Sequence, residues 1–186
     1  MHPSILEKPF TQQNDILRFF KQTKGLCKPL SNLYAASHLK KEPPSFLASN
    51  KIAYEKAVQE ENKQLMQQQL GKEDTRHSAF IESGLPHVDM EVNKIDLTTK
   101  EGMDKLLDES VTHCLVSYPT ENQSAHMVYY GKDKLDQCYF FDPDKLGGEF
   151  KGPCNNIRFF MRQSLERSWD DKEDRKALVG IMRAKP

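Results

Sequence analysis

Ala125-His126-Met127-Val128-Tyr129-Tyr130 and Gln137-Cys138-Tyr139-Phe140-Phe141-Asp142 are two β-rich runs around the polar segment Lys132-Asp133-Lys134-Leu135-Asp136. Aromatic and β-branched residues favour a pleated, half-buried surface, and the charged residues between them suit a turn, so the stretch reads as a β-hairpin. A turn centred on Lys134 makes opposed residue numbers sum to 268, which sets His126 against Asp142. Their Cβ atoms would then lie about 4.5–5.5 Å apart. Pro143 holds Asp142 in extended backbone and ends the strand there.

Working outward from the hairpin, Val111 to Tyr118 reads as a preceding strand, Asn156 to Trp169 as a helix and Leu178 to Met182 as a last strand. Upstream the period is helical. Thr11 or Asn14 can cap a short helix carrying Ile16, Leu17, Phe19 and Phe20. After Gly25 a second helix sets Leu26, Leu30, Leu33, Tyr34 and Ser37 on one face, with Pro29 tolerated in its first turn and Pro43-Pro44 stopping it. Asn50 caps a third helix, bearing Ile52, Tyr54, Val58, Leu65, Met66 and Leu70, which Gly71 ends. N-terminal helices followed by a small antiparallel sheet with one returning helix is an α+β pattern.

The 186 residues suit one domain, 1–186. Lys and Arg number 27 and so do Asp and Glu, which excludes a nucleic-acid binder working through a strong overall positive field. No apolar run reaches the roughly 20 residues of a membrane span, and Met1 to Phe10 lacks the pattern of a Sec-type signal peptide. Cys27, Cys114, Cys138 and Cys154 are far apart with no CxxC pair, and read as free thiols in a reducing compartment. Glu60-Glu61 with Lys63, and Asp170 to Asp174, read as solvated charged faces.

Three residues carry candidate chemistry. An imidazole beside a carboxylate can make the Nδ1–H bond that fixes a catalytic tautomer, so His126 and Asp142 form a candidate pair; an ordinary polar cross-strand contact has the same pattern. Cys27 opens the helix after Gly25. Helix N-termini favour the thiolate and offer N–H groups to an oxyanion, whereas a buried, inert cysteine is the plainer alternative. No metal is expected: His113 and Cys114 are adjacent in a strand and point to opposite faces, and the segment from Asp142 puts Leu146 and Pro153 where a calcium loop needs oxygen ligands. No phosphate-binding GxxxxGK[ST] loop occurs, and no cofactor is expected.

The order Cys, His, Asp, carried by Gly25-Leu26-Cys27 with Leu30-Ser31 behind it, Ser124-Ala125-His126, and Phe140-Phe141-Asp142-Pro143 followed by Gly147-Gly148-Glu149-Phe150, resembles the YopT-type cysteine proteases, a papain-like family of bacterial effectors. The resemblance implies a papain-like fold over the whole chain, with Cys27 as nucleophile, His126 as general base and Asp142 as its orienter. It also implies a side-chain amide at the oxyanion hole: Gln22, shortly before the cysteine, or alternatively Asn32 in the helix body after it. By the same resemblance the chain would be a monomeric peptidase. It would wait in the bacterial cytoplasm, pass to the host cytosol through a specialised secretion system, and cut a host protein such as a small GTPase or kinase. Deamidases, transglutaminases and acyltransferases use the same triad. A catalytically silent module that binds a host protein, for which the Gln-rich helix near Glu60 to Leu70 is suited, is the alternative of a different class.

Overall fold

The structure is a computed structural model that describes residues 4–71, 76–121, 125–170 and 176–183. Internal packing divides the chain into two compact units, Met1–Gly84 with Phe141–Glu149, and Leu85–Phe140 with Phe150–Pro186.

The first unit holds α1 (Gln13–Phe19), α2 (Cys27–Leu39), α3 (Asn50–Gln69) and α4 (Ser78–Ser83). Pro29 stands third in α2, where its missing N–H costs no intrahelical bond. The buried face of α2 includes Leu30, Tyr34 and Ala35, with Leu33 and Ser37 of the expected stripe only half covered. Ser49, not Asn50, caps α3: its hydroxyl accepts the Ile52 N–H at 3.1 Å. Asn50 is instead fully buried, donating to the Ile5 carbonyl at 2.8 Å and accepting from the Thr11 N–H at 3.0 Å.

The apolar residues that suggested the period of α3 are mostly not its buried ones. Ile52, Leu65, Met66 and Leu70 face solvent, while Ala53, Ala57, Glu60 and Gln64 are sunk. Glu60 is therefore no solvated charge, because the Ser78 hydroxyl donates to it at 2.9 Å and Gln64 donates to that hydroxyl at 3.0 Å. Burial raises its carboxyl above the ordinary value, against the opposing pull of the Ser78 hydrogen bond and of Lys63. Such a group favours folding fully while both states are protonated, below the unfolded value of about 4.5, and that contribution is lost as pH rises through the raised folded value. Glu60→Gln is expected to raise the melting temperature at neutral pH, with the gain vanishing in acid. Thermal melts of both chains at the two pH values check this.

The second unit contains β1 (His87–Val92), α5 (Lys94–Thr98), α6 (Lys100–Leu106), β2 (Val111–Tyr118), β3 (His126–Lys134), β4 (Gln137–Phe141), β5 (Glu149–Gly152), α7 (Cys154–Ser168) and β6 (Ala177–Arg183), with Phe141 and Glu149 at its boundary with the first. The strands form one sheet in the order β1-β6-β2-β3-β4-β5. β6 runs antiparallel to β1 and β2, and β2 antiparallel to β3. Side chains alternate across a strand, so one face gathers Cys114, Val116 and Tyr118 of β2, Val128 and Tyr130 of β3, and Val179 and Ile181 of β6 into a single core with Leu97, Met103, Ile157, Met161 and Leu165. α7 supplies Ile157, Met161, Ser164 and Leu165, spaced i, i+4, i+7 and i+8, the stripe an amphipathic helix turns inward. Gly102 opens the way for α6 to meet α5, since a Cβ there would lie 2.0 Å from the Asp96 carbonyl oxygen.

Two readings of this region change. The hairpin turns at Leu135-Asp136, with Asp136 at φ 57°, so Lys134 still belongs to β3, and the turn centred on Lys134 that set His126 opposite Asp142 is not the one formed. Cys138 and Cys154 are not free thiols: they form a disulfide, with Cα atoms 4.8 Å apart. Wide separation in sequence said nothing about their meeting, which follows from α7 starting directly after β5, and the thiol inventory no longer speaks for a reducing compartment. A bridge closing a segment of this length contributes about 3 kcal/mol by loop-closure entropy. Cys154→Ser should lower the melting temperature measurably under non-reducing conditions, and the difference should disappear once wild type is reduced. Asp170, read as part of a solvated run, is buried, its N–H donating to the Pro119 carbonyl at 3.0 Å; Asp171 to Asp174 lie outside the described residues.

Candidate active site

Cys27 is the first residue of α2 and is 7% exposed. No side chain caps this helix and no acidic residue stands in its first turn, so its positive end is not neutralised by a carboxylate of its own. Of the four cysteines, Cys27 and Cys114 take no part in a disulfide. Cys114 is wholly buried in the sheet core, and burial holds its thiol far above the ordinary value.

The same unit carries Asp142, one residue beyond β4 and 3% exposed. Its carboxylate Oδ1 accepts the Asp144 N–H at 2.9 Å, its carbonyl accepts the Lys145 N–H at 3.0 Å, and its own N–H donates to the Gly148 carbonyl at 2.9 Å. Asp142 thus sits in a closed turn initiated by Pro143. Phe141, immediately before it, stacks on Tyr34 of α2 at 4.7 Å and meets Phe46 edge-on at 5.9 Å. Tyr34 also donates its hydroxyl to Glu149 at 2.5 Å, so both ends of the Phe141–Glu149 segment are tied to one side chain of α2. Gly148 lies at φ 74°, and a Cβ there would come within 2.6 Å of the Phe141 ring and 2.9 Å of Phe10.

His126 belongs to the second unit. It opens β3, pairs with Tyr118 of β2, and is 1% exposed. The Tyr118 ring meets the imidazole edge-on at 5.6 Å, and Trp169 stacks on Tyr118 at 5.4 Å. Tyr118 is held in turn by a 2.7 Å hydrogen bond between its hydroxyl and Ser168. The Tyr118 ring, so held, limits the orientations open to the imidazole. Neither Tyr118 nor Trp169 stands out in the sequence as anything but core.

The two amides considered for the oxyanion differ. Gln22 lies between α1 and α2, its backbone N–H donating to Leu17 at 2.9 Å and its side chain to the Tyr54 hydroxyl at 3.1 Å. Asn32 directs its Nδ2 to the carbonyls of Lys28 at 2.9 Å and Arg76 at 2.8 Å, and its Oδ1 accepts from Ala79 at 2.9 Å. Both hydrogens of that amide are taken, one within α2 and one by the Arg76 carbonyl ahead of α4, which removes Asn32 as an oxyanion donor. Ser124, part of the motif around His126, lies outside the described residues.

Comparison with solved structures finds the Pseudomonas avirulence protein AvrPphB, at 13% identity and a TM-score of 0.61, over 97% of this chain and 98% of that one. The fold is thereby shown to be the α+β, papain-like one. No protein-family model and no curated protein matches the chain. Among the described residues no helix is long and apolar enough to cross a membrane.

Proposed function

We propose that the chain is a single papain-like domain acting as a cysteine-dependent peptidase through Cys27, His126 and Asp142. The observation that carries this is Cys27 itself, a cysteine outside any disulfide at the head of a 13-residue helix, in a fold shared with AvrPphB over nearly its whole length. The Cys27 thiolate adds to the scissile carbonyl carbon, and helix N–H groups stabilise the oxyanion. The tetrahedral adduct collapses to a thioester as His126 gives its proton to the departing amine. Water, losing a proton to the same imidazole, then releases the acid and regenerates the thiol. Asp142 holds the imidazole in the required tautomer. Gln22 is the side-chain donor to the oxyanion, since one N–H of its amide remains beyond the bond to Tyr54.

The fold neighbour is an avirulence protein, which supports reading this chain as a bacterial effector delivered into a host cell, there acting as a monomer on a host protein such as a small GTPase or kinase. Alkylation by iodoacetamide tests the chemistry. Cys27 is expected to react rapidly in mildly acidic solution and to lose that reactivity in His126→Ala, while Cys114 stays unmodified in the folded chain. A Cys27 rate indifferent to His126 would leave a silent binding module as the function.

A further inference from the structure

A glutamine side chain sinks to 1% exposure, as Gln13 does, only when its amide is satisfied. Its Oε1 accepts the N–H of Leu26, the residue before Cys27, at 2.8 Å. Its Nε2 donates to Asp144 Oδ1 at 2.5 Å, and its backbone N–H donates to the Pro143 carbonyl at 2.8 Å. The loop that contains Asp142 is pinned once more nearby, where Gly147 donates to the Thr11 carbonyl at 2.7 Å.

We propose that Gln13 is the positioning residue that sets Cys27 and Asp142 relative to each other, one amide gripping the entry to α2 and the turn that orients the carboxylate. This rests on the Cys27–His126–Asp142 chemistry proposed above. Each polar end has a fixed duty. The oxygen must accept, because Leu26 offers an N–H, and the nitrogen must donate, because Asp144 offers an acceptor. On one side a shift of the amide moves the residue joined to Cys27. On the other it moves Asp144, whose N–H holds Asp142 Oδ1 at 2.9 Å. Displacements of about 1 Å in such a constellation cost on the order of a hundredfold in rate. A carboxylate at position 13 still accepts from Leu26 but sets like charge against Asp144.

The test follows the rate of Cys27 alkylation by iodoacetamide across acidic and neutral pH in the full chain, with a thermal melt of every variant. Wild type should show an acidic limb of reactivity that His126→Ala lacks. Gln13→Glu should lower the limiting rate by about tenfold to a hundredfold and displace that limb. In the double variant Gln13→Glu, Asp144→Asn the amide at position 144 donates to the carboxylate at 13, and the wild-type rate and limb should return. Should Gln13→Glu fail to fold, Gln13→Asn, whose shorter amide reaches only one partner, is read the same way. A folded position-13 variant with wild-type rate and limb, or a loss that the double variant does not restore, overturns the role of Gln13 and leaves the triad standing. A wild type without any His126-dependent limb overturns the triad, and the role of Gln13 with it.

Discussion

Cys27→Ala should abolish turnover of a host-protein substrate while leaving the thermal melt close to that of wild type. Without sulfur no thioester forms, and the change removes only a small group that is 7% exposed. His126→Ala should come near to the same loss. Asp142→Asn should keep binding and slow chemistry by roughly 10⁴-fold, the cost seen when a triad holds the wrong imidazole tautomer. Members of such a unit are not additive, so adding Asp142→Asn to His126→Ala should cost little more. Turnover assays on a panel of host GTPases and kinases, run beside melts, check the series. If Cys27→Ala retains its full effect, no covalent route operates.

Phe141→Ala should be the most destabilising single truncation near the site. Phe141 is fully buried, stacked on Tyr34 at 4.7 Å, with Phe46 and Phe10 at 5.9 and 6.1 Å. Emptying that space should cost about 3–5 kcal/mol, which for a chain of this size lowers the melting temperature by on the order of 10 °C. Because Asp142 follows directly, Cys27 reactivity should fall more steeply in this variant than in Cys138→Ser, which opens a disulfide belonging to the second unit. Chemical denaturation combined with the alkylation rate separates the two. Equal stability in Phe141→Ala and wild type would mean that the aromatic cluster is not part of the cooperative core.

Where sequence spoke clearly, it did so through local grammar. The β-rich aromatic runs produce β3 and β4, and β4 stops before Pro143, at Phe141, one residue short of the expected Asp142. Gly25 and Pro29 frame a helix start, and Cys27 begins α2. What it could not express were meetings between distant residues. Gln13 reads as an ordinary polar residue until Leu26 and Asp144, 13 and 131 positions away, bring a donor and an acceptor to its amide. Glu60 looks solvated because its partner, Ser78, lies on another helix. The Cys138–Cys154 bridge depends on where β5 delivers the chain. β1, α5 and α6 are short, and their apolar residues are too few to set a period; β1 becomes a strand by pairing with β6, some ninety residues later.

The first unit is discontinuous, and this sets an order of events at the ribosome. Residues 1–84 leave the tunnel before Phe141–Glu149 exists, yet that later segment supplies Phe141 to the aromatic cluster of α2 and Asp144 to the amide of Gln13. At about 5–20 residues per second the interval is roughly 3–11 s, long compared with helix formation and collapse. For those seconds the nascent helices carry a thiol but neither the carboxylate nor the loop beside it. Chemistry of the proposed kind needs Asp142, so it can arise only after the Phe141–Glu149 segment has been made and has joined the helices that precede it.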